Sequence, residues 1–253
     1  MTEELHMLPL SVVIVTKNEE HNIEDALKSA AGAREIIIVD AFSDDRTVEI
    51  CRKYTDKIFQ HQWEGFAKQK QKAVDYAGEE WILILDSDER ITPELMAEIG
   101  RAISRGDCNG YYIPRENYFI GRWIKHGGWW PDHTLRLFKK NKGHLEIREV
   151  HEKVTVEGNA AYLHNPLKHF TYRSISDFVL RADKYSTLAA KELRKYSGNA
   201  GLLSVTIKPI ATFIKMYFIR RGFLDGSCGL ILALLYSYYT FLKYVKVWES
   251  KYN

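Results

Sequence analysis

Cysteine is scarce: Cys51, Cys108 and Cys228 are the three in 253 residues. They stand far apart, they are odd in number, and no CxxC pair occurs. Neither a zinc site nor a disulfide framework is indicated, and a reducing cytoplasm is the simplest setting. A large excess of one charge is also lacking. Lys and Arg number 36 against 33 Asp and Glu, and the net charge of +3 is too small to point to nucleic acid. No GxGxxG follows the first apolar run and no GxxxxGK[ST] occurs, which disfavours a dinucleotide fold and a P-loop enzyme. The opening MTEELHMLPL carries acids and no long apolar core, so it does not read as a secretory leader. Internal repeats and low-complexity tracts are missing as well.

What is present is an ordinary globular composition, 45% hydrophobic and 27% charged. LSVVIVT (10–16) is a short β-branched run, read as a buried strand. HNIEDALKSAAG shows helical spacing, with Gly32 as its expected C-cap. EIIIVDAFSDD (35–45) is a second strand, RTVEICRKY a second helix, KIFQHQW (57–63) a third strand, GFAKQKQKAVDYAG a third helix and EWILILDSDE a fourth strand. This alternation predicts an α/β unit with a mostly parallel sheet. In such sheets ligands bind beyond the carboxyl ends of the strands. The polar clusters Thr16–Glu19, Asp40–Asp45 and Asp86–Glu89 all fall there.

ILILDSDERI (82–91) sets three acids directly after four buried apolar residues. A carboxylate cluster at a half-buried strand end needs positive charge nearby. Asp86-x-Asp88 suits a hard divalent cation whose shell a diphosphate completes. The plain alternative is a solvated acidic turn in which Glu89 caps the helix starting near Thr92-Pro93.

VVIVTKNEE, IIIVDAFSDDRT and GFAKQKQKAVDYAGEEWILILDSDE together resemble the family 2 inverting glycosyltransferases of GT-A fold. GGWWPDHTLRLFKK, VHEKV, KHFTYRS and RRGFLDGSCGL further resemble the small bacterial enzymes of lipopolysaccharide core synthesis, β-1,4-glucosyltransferases among them. The family string V-D-x-G-S-x-D-x-T is altered here: Phe42 stands at the glycine, while Asp40, Ser43, Asp45 and Thr47 remain. The resemblance implies a nucleotide pocket of Thr16, Asn18, Glu19, Asp40, Ser43, Lys68, Asp86 and Ser87. It implies Mn²⁺ or Mg²⁺ held by Asp88 and Asp86, with His151 or His169 in reach. The other reading of Lys68 is a solvated helix lysine.

Transfer with inversion needs a base for the acceptor hydroxyl. Glu152 in EVHE is the first choice and Asp132 in WWPDH the second, the latter reading equally as a turn carboxylate after Pro131. Arg136, Arg173 and Arg181 are expected phosphate clamps, because guanidinium pairs well with phosphate. Trp129 and Trp130 offer faces for a sugar ring, with core packing the rival use.

The expected domains are a catalytic domain over 1–172 and a helical extension over 173–253. The nucleotide-binding half runs from about 8 to 105 and the acceptor-facing half from about 106 to 172. Gly226–Leu242 holds seventeen residues without a charge, at the short limit of a membrane span. Lys208, Lys215, Arg220, Arg221, Lys243, Lys246 and Lys251 accompany tyrosines there, which favours contact with an anionic lipid surface. A helix hairpin in the core or a homodimer contact is the other use. The expected function is transfer of a hexose, glucose first, from a nucleotide-diphosphate sugar, UDP by default. The acceptor is lipopolysaccharide core or another lipid-linked glycan at the inner face of the plasma membrane. A sugar-phosphate nucleotidyltransferase or a non-catalytic glycan- or lipid-binding module is the alternative.

Overall fold

The computed structural model describes residues 7–146, 153–197, 201–250 and 252. Contacts divide the chain into two units. One is Met1–Arg115 with His133–His169; the other is Glu116–Asp132 with Phe170–Asn253.

The first unit begins with β1 (Leu8–Thr16), α1 (Ile23–Ser29), β2 (Ala33–Asp40), α2 (Thr47–Cys51), β3 (Ile58–Gln60), α3 (Phe66–Tyr76) and β4 (Trp81–Ile84). The short β5 (Glu89–Ile91), α4 (Pro93–Arg105) and β6 (Gly110–Phe119) follow, the residues of β6 from Glu116 on belonging to the second unit. Beyond β7 (Arg122–Trp123), in the second unit, come β8 (His133–Lys139), β9 (Gly143–Glu146), β10 (Lys153–Val156), β11 (Ala160–Tyr162) and β12 (Leu167–Tyr172).

The sheet order is β3-β2-β1-β4-β8-β6-β12-β5. The β1–β2, β1–β4 and β2–β3 pairs are parallel. The β4–β8, β6–β8 and β5–β12 pairs are antiparallel. The expected mostly parallel sheet is therefore a mixed one: its first half is parallel, and β11, off the main order, adds a parallel pair with β6. β1 reads as a continuous β-branched run because neighbours cover both of its edges and helices both of its faces. Leu10, Val12 and Ile14 pack with Leu27, Leu83, Leu95 and Ile99 on one side, and Val13 with Val39, Ala73 and Ile84 on the other.

One local expectation and one alternative reading change. Gly32 is not the α1 cap, which is Ala30; a side chain at Gly32 would press on Met96. Glu89 does not cap α4. Thr92 does, its hydroxyl accepting the Leu95 N–H at 3.1 Å, with Pro93 beginning the helix and Gly106 closing it in left-handed conformation.

The second unit carries α5 (Ile175–Ser197), α6 (Leu202–Ile214), a π turn over Lys215–Ile219, a 3₁₀ turn over Gly222–Asp225 and α7 (Gly226–Glu249). Its core joins Phe119, Ile124 and Trp129 to Met216, Leu232 and Ala233.

Candidate active site

The carboxyl ends of β1 and β2 carry two loops that bond each other. Ser43 Oγ accepts the Asn18 N–H at 2.9 Å and donates to Asp40 Oδ1, while Thr47 Oγ1 accepts the Glu19 N–H at 2.8 Å. Asn18 Oδ1 accepts the Asp44 N–H and Asp45 accepts the Glu20 N–H. Asp40 is fully buried. It also accepts from the Ser43 N–H at 2.9 Å and from Gln60 Nε2 at 3.0 Å, so it organises this turn. Phe42 adopts φ 56° and stands 47% exposed, the backbone geometry for which the family string carries glycine. Thr16 is buried, and its Oγ1 bonds no other atom among the described residues.

After β4 the chain turns through Asp86–Glu89. The Glu89 N–H donates to the Asp86 carbonyl at 2.9 Å, and the Glu89 carboxylate accepts the Asp86 N–H at 3.0 Å. Like charges are thus drawn together, and the fold supplies the counter-charge. Lys70 Nζ lies 2.7 Å from Asp86 Oδ1, and Arg136 bonds both Asp86 Oδ2 and, at 2.9 Å, Glu89 Oε1. Arg115 stands 3.4 Å from Glu89 Oε1. Glu89 is fully buried, and Lys70 and Arg136 are almost so. Burial alone would raise the Asp86 carboxyl; Arg136 and Lys70 instead hold it well below the usual carboxylate range. Arg90 fastens the turn by donating to the Ser87 and Glu89 carbonyls and, at 2.9 Å, to the Asn22 carbonyl.

The third acid differs. The β5–β12 register sets His169 opposite Glu89, and His169 Nε2 reaches 3.5 Å from Asp88 Oδ2. Burial disfavours a charged imidazole there, but the Asp88 carboxylate and its hydrogen bond lift His169 above its ordinary value.

Several expectations change with this geometry. Asp86 is not an open metal ligand, since each of its oxygens meets a cation. Arg136 is a buried partner of Asp86 and Glu89 rather than an exposed phosphate clamp. Lys68 is exposed, and the α3 lysine at the site is Lys70, about 200° further round the helix. Ser87 is buried within the turn. Lys70 sits among Ala67, Ala73 and Val74 on the buried face, and that phase was the signal for it.

Asp132, Trp129, Trp130, Arg173 and Arg181 lie in the second unit. Asp132 accepts from Asn117 Nδ2 at 3.0 Å. Trp129 is core, edge-on to Phe119 and Tyr236, and so is no sugar platform. Trp130 meets Trp123 edge-on. Arg181 bonds Asp177 at 2.8 Å beside the Tyr172 ring, and Arg173 is exposed. Glu152 and His151 lie outside the described residues.

The donors fit a hard cation in a particular way. Among the described residues no three His, Cys, Asp or Glu groups converge as a closed metal cage. Asp88 with His169 offers one carboxylate and one imidazole. Mg²⁺ and Mn²⁺ sites of this kind fill the remaining positions with phosphate oxygens and water.

The sequence pattern of Glycosyl transferase family 2 matches residues 11–170. The chain belongs to that family. Its α/β sheet is the GT-A arrangement, and the protein is a glycosyltransferase. The lipopolysaccharide core biosynthesis glycosyltransferase LpsC of Rhizobium meliloti is 29% identical over 255 residues, covering 96% of this chain and 93% of LpsC. An uncharacterized glycosyltransferase of Rickettsia felis is also 29% identical, over 96% of this chain and 91% of its own. The crystal structure of S. aureus TarS 1-349 superposes with a TM-score of 0.48 at 17% identity, over 96% of this chain and 91% of that one. At that score the overlap adds nothing to the family assignment.

Proposed function

We propose that this glycosyltransferase moves a hexose, glucose first, from a nucleotide-diphosphate sugar to a lipopolysaccharide-core or other lipid-linked glycan, with inversion, at the cytoplasmic face of the inner membrane. The Asp86–Glu89 turn carries this reading. Its two inner carboxylates meet Lys70, Arg136 and Arg115, so charge-assisted bonds from the fold itself hold the turn. Asp88 and His169 would hold Mn²⁺ or Mg²⁺, which when bound offsets the charge of the leaving diphosphate. Thr16 Oγ1 and the bonded loops of Asn18 and Ser43 receive the nucleotide, UDP by default. A carboxylate accepts the acceptor hydroxyl's proton, Glu152 first and Asp132 second. The similarity to LpsC supports the acceptor class.

Calorimetric titration of UDP-glucose with and without Mn²⁺ tests the donor, and NMR of the product tests for the β-anomer. A chain that binds no nucleotide sugar under either condition ends this reading. Glu152→Gln and Asp132→Asn separate the bases: loss of the true base costs roughly 10²–10⁴-fold in rate with donor binding retained.

A further inference from the structure

Among the described residues, twenty-four large apolar side chains stand exposed, and thirteen of them lie between 203 and 241. On α6 they form one row, Leu203, Ile207, Ile210 and Ile214, at helical spacing. Phe218, Ile219, Phe223 and Leu224 crowd the turn that follows, and α7 adds Leu230, Ile231, Leu234, Tyr238 and Phe241. Contiguous exposed apolar surface of this kind marks an interaction site. The charges beside it have one sign. Lys208, Lys215, Arg220 and Arg221 are exposed. The only acid between 201 and 248 is Asp225, and it is buried, accepting the Lys125 and His126 N–H groups at 3.2 and 2.8 Å.

We infer that the α6–α7 hairpin is an interfacial element that lies in the plane of an anionic bilayer, its apolar rows at the acyl boundary and its basic residues among the headgroups. A second copy is the poorer occupant, because a two-fold contact would bring the same positive charge to itself with no carboxylate to meet it. A crossing helix is also poorer. Gly222–Glu249 is long and apolar enough to span, but α7 has its other face committed to protein. Leu232 and Ala233 pack against Phe119, Trp129 and Met216, Val247 packs against Ala190, and Lys246 bonds Asp183 and Ser186 of α5. One buried face and one apolar, cation-flanked face is the pattern of a helix that lies on a membrane.

This inference deepens the location part of the proposed function, and vesicle binding is measured without substrate, so either reading can fail alone. The full chain is spun with phosphatidylcholine vesicles, with and without phosphatidylglycerol. Binding to the anionic vesicles, weakened by high salt and released by alkaline carbonate, is expected. Each basic side chain near such a surface is worth about fivefold in partitioning, so Lys215→Glu with Arg221→Glu should weaken binding by at least about 25-fold. Phe218→Ser with Ile219→Ser should also weaken it, and circular dichroism should show both variants folded because all four side chains are exposed. Three results overturn the inference: equal binding to neutral vesicles or none at all, retention through alkaline carbonate, or a lipid-free dimer that Phe218→Ser with Ile219→Ser dissociates.

Discussion

At the residue scale, Lys70 shows how a buried cation earns its position. It is nearly inaccessible and 2.7 Å from a carboxylate that Arg136 also holds. Removing one partner of a buried ion pair leaves charge uncompensated, typically at about 3–5 kcal/mol. Because Arg136 stays, Lys70→Met should cost about 2–3 kcal/mol in urea unfolding. The loss should shrink in an Asp86→Asn background; equal losses in both backgrounds would show that the pair is not coupled. Phe42 points the other way. A non-glycine residue in left-handed geometry is strained by roughly 1–2 kcal/mol, and glycine returns part of that gain as unfolded-state entropy. Phe42→Gly should therefore raise the urea midpoint, by up to about 1 kcal/mol in stability. Phe42→Ala, which keeps the strain, should not. The serine and aspartate that hold this turn were visible in the sequence, but whether phenylalanine would accept the glycine geometry was not.

At the element scale, RRGFLDGSCGL is the turn that folds α7 back on α6, and two glycines let the backbones meet. A Cβ at Gly229 would lie 1.8 Å from the Gly222 carbonyl oxygen, and one at Gly222 would lie 2.7 Å from the Met216 carbonyl oxygen. Backbone atoms cannot swing aside as a side-chain end can. Gly229→Ala should thus cost at least the roughly 1–3 kcal/mol of overpacking, seen as a lowered thermal midpoint. Gly201→Ala meets open space and should stay within about 0.5 kcal/mol. If both variants unfold alike, the close approach is not what holds the hairpin. A helical extension over 173–253 was expected from the sequence, but its division into α5, α6 and α7 with two turns between the last two was not. The short β5 was invisible, because ERI reads as the tail of β4 until β12 pairs with it.

At the scale of the whole molecule, stability in acid follows from how the carboxylates are held. Glu35 is buried; that burial would raise it, but Lys57, Ser11 and the Gly78 N–H lower it. Asp45 and Glu98 are likewise lowered by hydrogen bonds that outweigh burial. A carboxylate lower in the folded than the unfolded chain contributes stability that is complete above its unfolded value and is lost as pH falls through the folded one. The carboxylates' share of stability should hold above about pH 5 and decline steadily below about pH 4, while the raised His169 adds a share that is lost as pH rises through its folded value. Glu35→Gln should flatten that acid limb in urea titrations across pH. An unchanged slope would show that Glu35 is equally acidic in both states.

The sequence by itself determined the alternation of strand and helix over the first hundred residues and the placing of acids at strand ends. These follow from side-chain periodicity and local turn chemistry, which need no distant partner. Only the tertiary structure decided how those acids are used. Lys70, Arg115 and Arg136 come from α3, β6 and β8, and no spacing rule says that a helix lysine and two antiparallel-strand arginines meet one turn after β4. The same holds for His169, brought to Asp88 by an antiparallel register at the far end of the sheet order. Charge neutralisation acts through space over a few ångströms, and sequence separation carries no record of that distance until the strands are paired.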